Sequence, residues 1–121
     1  MPRLVVEATH LDQLREHGGL SGLRNEHGLE AALARPKQKW HFDPKVDLAL
    51  LAASYAFGLS TAHAFSDGNK RIVLAVIDVF LRINGSGLTA TEEDAADTIR
   101  RLAAGELTES DLAAWISANQ A

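Results

Sequence analysis

From Ile72 to Ile83 this chain is apolar everywhere except Asp78 and Arg82, and no other segment narrows the possible folds so far. Ile72, Ala75, Val76, Val79, Phe80 and Ile83 recur at the three- and four-residue steps of one helical face. Val73, Leu74, Ile77 and Leu81 fill the other face, which predicts a helix buried nearly all round. The Val and Ile content also suits a strand, but the length and the Asn84-Gly85 stop favour a helix.

The flanking sequence supplies helical partners for it. Leu48, Leu51, Ala52, Tyr55 and Leu59 mark a helix announced by Pro44 and Asp47 and running to about His63. Thr91-Glu92-Glu93-Asp94 and Thr108-Glu109-Ser110-Asp111 resemble capping boxes with Asp in place of Glu. They open helices carrying Ala95, Ile99 and Leu102, then Leu112, Trp115 and Ile116. Upstream, Val5 to Ala8 predict a short N-terminal strand, and Thr9 caps a helix through Leu11, Leu14 and Arg15 that stops at Gly18-Gly19. After a turn-rich connection, Gly28 to Arg35 read as a short helix closed by Pro36, and residues 37–45 are the least regular stretch. The expected fold class is all-α, a compact bundle forming a single domain over residues 1–121, with no repeat, low-complexity tract or linker.

A chain of 121 residues, 46% hydrophobic and 23% charged, is large and apolar enough for a true core. Its net charge of -4 and pI near 5.7 argue against a general nucleic-acid binder, without excluding a nucleotide ligand. The absence of Cys removes disulfides and thiolate zinc sites and is compatible with a reducing cytoplasm. The N-terminus lacks the apolar region of a secretory signal, and the apolar run Leu48 to Leu59 is too short for a membrane span, so a cytoplasmic location is expected. His10, His17, His27 and His41 show no metal-ligand spacing and read as surface or capping residues. Asp78 and Arg82, four apart, read as an exposed pair.

Between the two most apolar helices lies His63-Ala64-Phe65-Ser66-Asp67-Gly68-Asn69-Lys70-Arg71. An imidazole, which titrates near neutrality, can take a hydroxyl proton. A carboxylate can hold Mg²⁺ together with phosphate oxygens, and cations can neutralise a transferring phosphoryl group. The amides from Ser66 to Arg71, at the start of a helix, aim at a common point and form an anion site. Taken singly, His63 could be a helix-end cap, Asp67-Gly68-Asn69 a plain turn and Lys70-Arg71 a solvated first turn. The joint pattern is what points to phosphate.

This nonapeptide resembles the signature of the Fic/Doc superfamily, written His-x-Phe-x-Asp/Asn-Ala/Gly-Asn-Lys-Arg in its Doc-like branch. Gly22-Leu23-Arg24 and the segment Gly28 to Pro36 are similar to the corresponding arginine and the "GLLESALARP" stretch of Doc-type toxins. The resemblance covers about the first two thirds of the chain and implies a Fic/Doc-like helical bundle with a small flap. It implies that His63 is the general base toward a target hydroxyl, that Asp67 holds Mg²⁺, and that Asn69 with the amides around Ser66 and Gly68 forms the anion hole. Phe65 would hold the loop in the core and Arg71 would bind phosphate. Lys70 stands where adenylylating Fic enzymes carry a second Gly, and Leu74 where their signature has a further Arg. Both departures match the Doc-like branch, in which ATP is inverted and the γ-phosphate is transferred.

The resemblance therefore implies the toxin of a type II toxin-antitoxin module, a protein kinase using ATP and Mg²⁺. Its expected target is a Thr of elongation factor Tu, with translation arrest as the outcome. Lys39, Trp40, His41 and Phe42 occupy the place of the superfamily's flap, which aligns the target segment by strand addition; Trp40 and Phe42 could equally tuck under the bundle edge. No inhibitory Ser/Thr-x-x-x-Glu-Gly/Asn helix is present, because Asp94 follows Thr89 to Glu93. Inhibition in trans by a small antitoxin, whose C-terminal segment docks on the toxin, is the implied alternative. An adenylyltransferase that tolerates Lys70 and an inactive partner-binding module are the competing readings. Arg24 serves either the family's upstream motif or an ordinary salt bridge.

Overall fold

The computed structural model describes residues 1–19, 22–42, 47–63 and 69–121, with Phe42 described through its backbone alone. These residues form α1 (Arg3–His17), α2 (Glu26–Phe42), α3 (Leu48–Ala62), α4 (Asn69–Ile83), α5 (Glu92–Ala103) and α6 (Glu109–Ala118). The expected all-α class is the observed one. No strand occurs among the described residues, and an isolated antiparallel bridge joins Leu88 to Gln120.

The hub is α3, which packs against α2, α4, α5 and α6. Its small residues allow this: Ala49, Ala52, Ala53, Ser54, Ala56 and Gly58 are all buried, so neighbouring backbones can approach from several sides. A Cβ on Gly58 would lie 3.1 Å from the Cα of Ala32 in α2. The larger Tyr55 and Leu59 are also buried, and the Tyr55 ring meets that of Phe80 in α4 at 5.1 Å between centroids and a 53° tilt, an ordinary aromatic pairing.

The apolar helix α4 buries Ile72, Val73, Val76, Ile77, Phe80 and Leu81. It is not buried all round as expected, since Arg82 is exposed and Ile83 is 59% exposed. Both α1 and α5 pack on α4, and an open cleft of about 860 Å³ lies among the three. Arg82 faces this cleft and pairs with Asp78 at 2.8 Å, as expected. The other Asp78 oxygen accepts from the Leu88 N–H at 3.1 Å, pinning the loop after α4.

Two upstream expectations fail. The strand at Val5 to Ala8 is instead part of α1, because Val6 and His10, one helical turn apart, are both buried. His10, expected as a surface or capping residue, is only 3% exposed and lies inside α1. Thr9 is interior to α1 rather than its cap, and its hydroxyl donates to the Val5 carbonyl at 2.7 Å. Likewise α2 does not close at Pro36 but runs through it to Phe42. Proline removes one N–H from the helix ladder, yet Pro36 is buried, as are Leu29, Ala32 and Leu33 on the preceding turns. Packing along α3 outweighs the missing hydrogen bond.

The expected boundaries elsewhere are present. Asp47 accepts from the Leu50 N–H at 2.8 Å to start α3. Gly85, at φ 83°, ends α4 while the Ser86 N–H returns to the Leu81 carbonyl at 2.8 Å. Thr108 and Asp111 form the full reciprocal capping box of α6. At α5 only half of the box forms: Thr91 accepts from the Asp94 N–H, while the Asp94 carboxylate takes the Trp115 indole N–H at 3.0 Å.

Candidate active site at the junction of α3 and α4

The nonapeptide spans the junction of the hub helix with α4. Its middle, Ala64 to Gly68, lies outside the described residues, and with it the expected roles of Phe65, Ser66, Asp67 and Gly68. The two ends are defined. His63 is the C-cap of α3, exposed, with a left-handed backbone at φ 45° and ψ 49°. Asn69 begins α4, half-buried and engaged in a polar contact. Lys70 is exposed and Arg71 half-buried in the first turn.

Helix starts leave N–H groups unpaired and carry positive partial charge. Here the first turn of α4 contains no acidic residue and adds two full cations. Arg71 extends toward the end of α1, where its guanidinium donates to the Gly18 carbonyl at 3.0 Å. It also borders the cleft among α1, α4 and α5, whose rim holds Asp12, Glu16 and Glu92. None of these acids is within ion-pair distance of Arg71.

The end of α3 is itself held in place. Asn25 accepts from the Gly28 N–H at 2.9 Å, capping the start of α2, while its amide donates to the Ala62 carbonyl at 3.3 Å, next to His63. A Cβ on Gly28 would collide with the Asn25 amide nitrogen at 2.4 Å and meet Ala62 at 3.2 Å. This contact was not expected, since the sequence places the start of the helix at Gly28. The available signal is Asn25 itself, a good N-cap residue three positions before Gly28. Arg24 is exposed and makes no ion pair among the described residues.

The expected flap residues are not brought to this junction. Gly28 adjoins Ala62 and Ala32 adjoins Gly58, so α2 and α3 run in opposite directions. Trp40 therefore lies toward the start of α3, about 18 Å along the axis from Ala62. Lys39 to Phe42 belong to α2, and a helical backbone offers no edge for strand addition. Lys39 pairs with Glu109 of α6 at 3.2 Å, alongside Arg35, which also packs over the Phe57 ring at 5.4 Å. Trp40 does not tuck under the bundle edge, being 56% exposed.

Among the described residues no three His, Asp or Glu side chains converge as metal ligands. No described helix is long and apolar enough to cross a membrane.

An all-helical bundle that passes from a histidine at the end of its hub helix to an Asn-Lys-Arg start of the next has the layout of the class that the sequence resembles. The model of the Fic/DOC family matches residues 3–81, and the chain belongs to that family. It is 31% identical over 106 residues to the protein kinase doc of Escherichia phage P1, an alignment covering 88% of this chain and 83% of the phage protein.

Proposed function

We propose that this protein is a Doc-type toxin that transfers the γ-phosphate of ATP to a hydroxyl of a translation factor, elongation factor Tu being the expected target. The observation that carries this reading is the junction itself: an exposed histidine and a charge-bearing first turn without carboxylates flank the Ala64–Gly68 segment. Likeness to a protein named as a kinase supports the kinase branch. So do Lys70 and Leu74, where an adenylylating signature has a Gly and an Arg.

In this mechanism His63 takes the proton of the target hydroxyl as its oxygen bonds to the γ-phosphorus. The bond from that phosphorus to the β,γ-bridging oxygen breaks, and ADP leaves. Arg71 and the α4 amides receive the phosphate charge. Asp67 is the residue that would hold Mg²⁺, which supplies further neutralisation of that charge. Asn69 and the amides of Ser66 and Gly68 complete the anion site, and Lys70 fills the space that AMP transfer requires. The protein acts in the cytoplasm and is restrained by an antitoxin whose C-terminal segment docks on it.

Incubation with elongation factor Tu and ATP labelled at the α- or the γ-phosphate tests the reaction. Label arriving from the γ position alone is expected. Label from the α position would make the protein an adenylyltransferase. Expression without an antitoxin should arrest growth, and His63→Ala should relieve the arrest; an equally toxic variant would exclude catalysis by the motif.

A further inference from the structure

Among the described residues, Arg3, Arg15, Arg35, Arg82 and Arg100 are matched to carboxylates. Arg71 is held differently. Its guanidinium donates to the carbonyl of Gly18, 53 residues away, and it makes no ion pair among the described residues. A carbonyl oxygen orients a guanidinium without neutralising it, whereas a carboxylate does both. Among the described residues one of its five N–H donors is engaged, by a neutral acceptor, which leaves the guanidinium its charge for an anion. The carbonyl sits where α1 ends, and the partial negative charge at a helix C-terminus favours a cation.

The position of that carbonyl depends on Gly18. Its backbone, at φ 75° and ψ 177°, occupies a region essentially closed to L residues. A Cβ there would meet nothing within 4 Å, so the conformation, and not the space, demands glycine.

We propose that Gly18 is a positioning residue, whose turn aims the carbonyl that sets the Arg71 guanidinium toward the nucleotide phosphate. This rests on the phosphate-binding role given to Arg71 above. The test compares the full chain carrying Gly18→Ala with one carrying D-alanine at the same position, introduced by semisynthesis.

Loss of one orienting hydrogen bond predicts ATP binding about three- to tenfold weaker in Gly18→Ala, with kcat also lowered because Arg71 receives the charge of the transferring phosphate. The D-alanine chain, for which positive φ is relaxed, should bind like the parent. In an Arg71→Ala background, Gly18→Ala should weaken binding no further. Equal weakening by both alanine enantiomers, or an undiminished effect without Arg71, would overturn the proposal. Side-chain ¹⁵N NMR reads the tether with no nucleotide present, and faster exchange of the Arg71 N–H protons in Gly18→Ala is expected. Unchanged exchange overturns the tether. A parent chain that binds no ATP, yet shows Arg71 protection lost in Gly18→Ala, counts against the kinase reading and supports the tether.

Discussion

His63 combines an exposed imidazole with a left-handed backbone, which costs a non-glycine residue about 1–2 kcal/mol. Few exposed side chains hold such a position without a reason to be there. His63→Gly should therefore raise stability by about 1 kcal/mol while lowering phosphate transfer on the order of 10²–10⁴-fold if His63 is the general base. Thermal melts beside rate measurements check both halves, and a less stable variant would show that the imidazole is there for packing. Asn25→Ala removes both a cap and the hold on the Ala62 carbonyl, and a loss of about 1 kcal/mol is expected in urea titrations. These two residues also show how far the site can be read from sequence. His63, Asn69, Lys70 and Arg71 are legible because they sit within one short motif. Asn25 and Gly18 act on residues 37 and 53 positions away, and a linear reading contains no sign of such contacts.

At the scale of elements, most caps and glycine stops hold in the structure, and tertiary context overrides local preference elsewhere. Asp47, Thr91, Thr108 and Asn84-Gly85 mark boundaries that the structure keeps. The β-branched pair Val5-Val6 and Pro36 argued against helix, yet both lie in helices whose burial against neighbours outweighs local preference. The hub is not the helix with the largest apolar side chains, for a related reason. Large apolar residues fill α4, but a helix is touched on many sides when its residues are small, as in α3. Gly58 puts this to a test. Alanine is favoured over glycine in a helix by about 1 kcal/mol, but its Cβ would crowd the Ala32 backbone at 3.1 Å, and overpacking a core costs about 1–3 kcal/mol. The backbone of a packed helix yields little, so Gly58→Ala should be net destabilising by about 1 kcal/mol in urea. A more stable variant would mean that α2 can move away from α3.

For the molecule as a whole, α6 links the periphery to the hub. Leu112, Ala113 and Ile116 are buried and α6 packs on α3, while Glu109 takes Arg35 and Lys39 of α2. Loosening the first turn of α6 should therefore be felt in global unfolding and not only locally. Asp111 controls that turn: its carboxylate accepts the Thr108 backbone N–H at 3.1 Å, and this hydrogen bond holds its pKa below the ordinary 3.8. Because the folded pKa is depressed, the stabilisation is complete above the unfolded value. It is lost as pH falls through the lower folded one. Asp111→Asn keeps the shape but has no charge to titrate. The parent should exceed this variant in urea midpoint at pH 7, keep the same advantage down to about pH 5, and lose it as the solution is acidified below 3.8. A gap that stays constant to pH 2 would show that the charge of Asp111 contributes nothing to the fold.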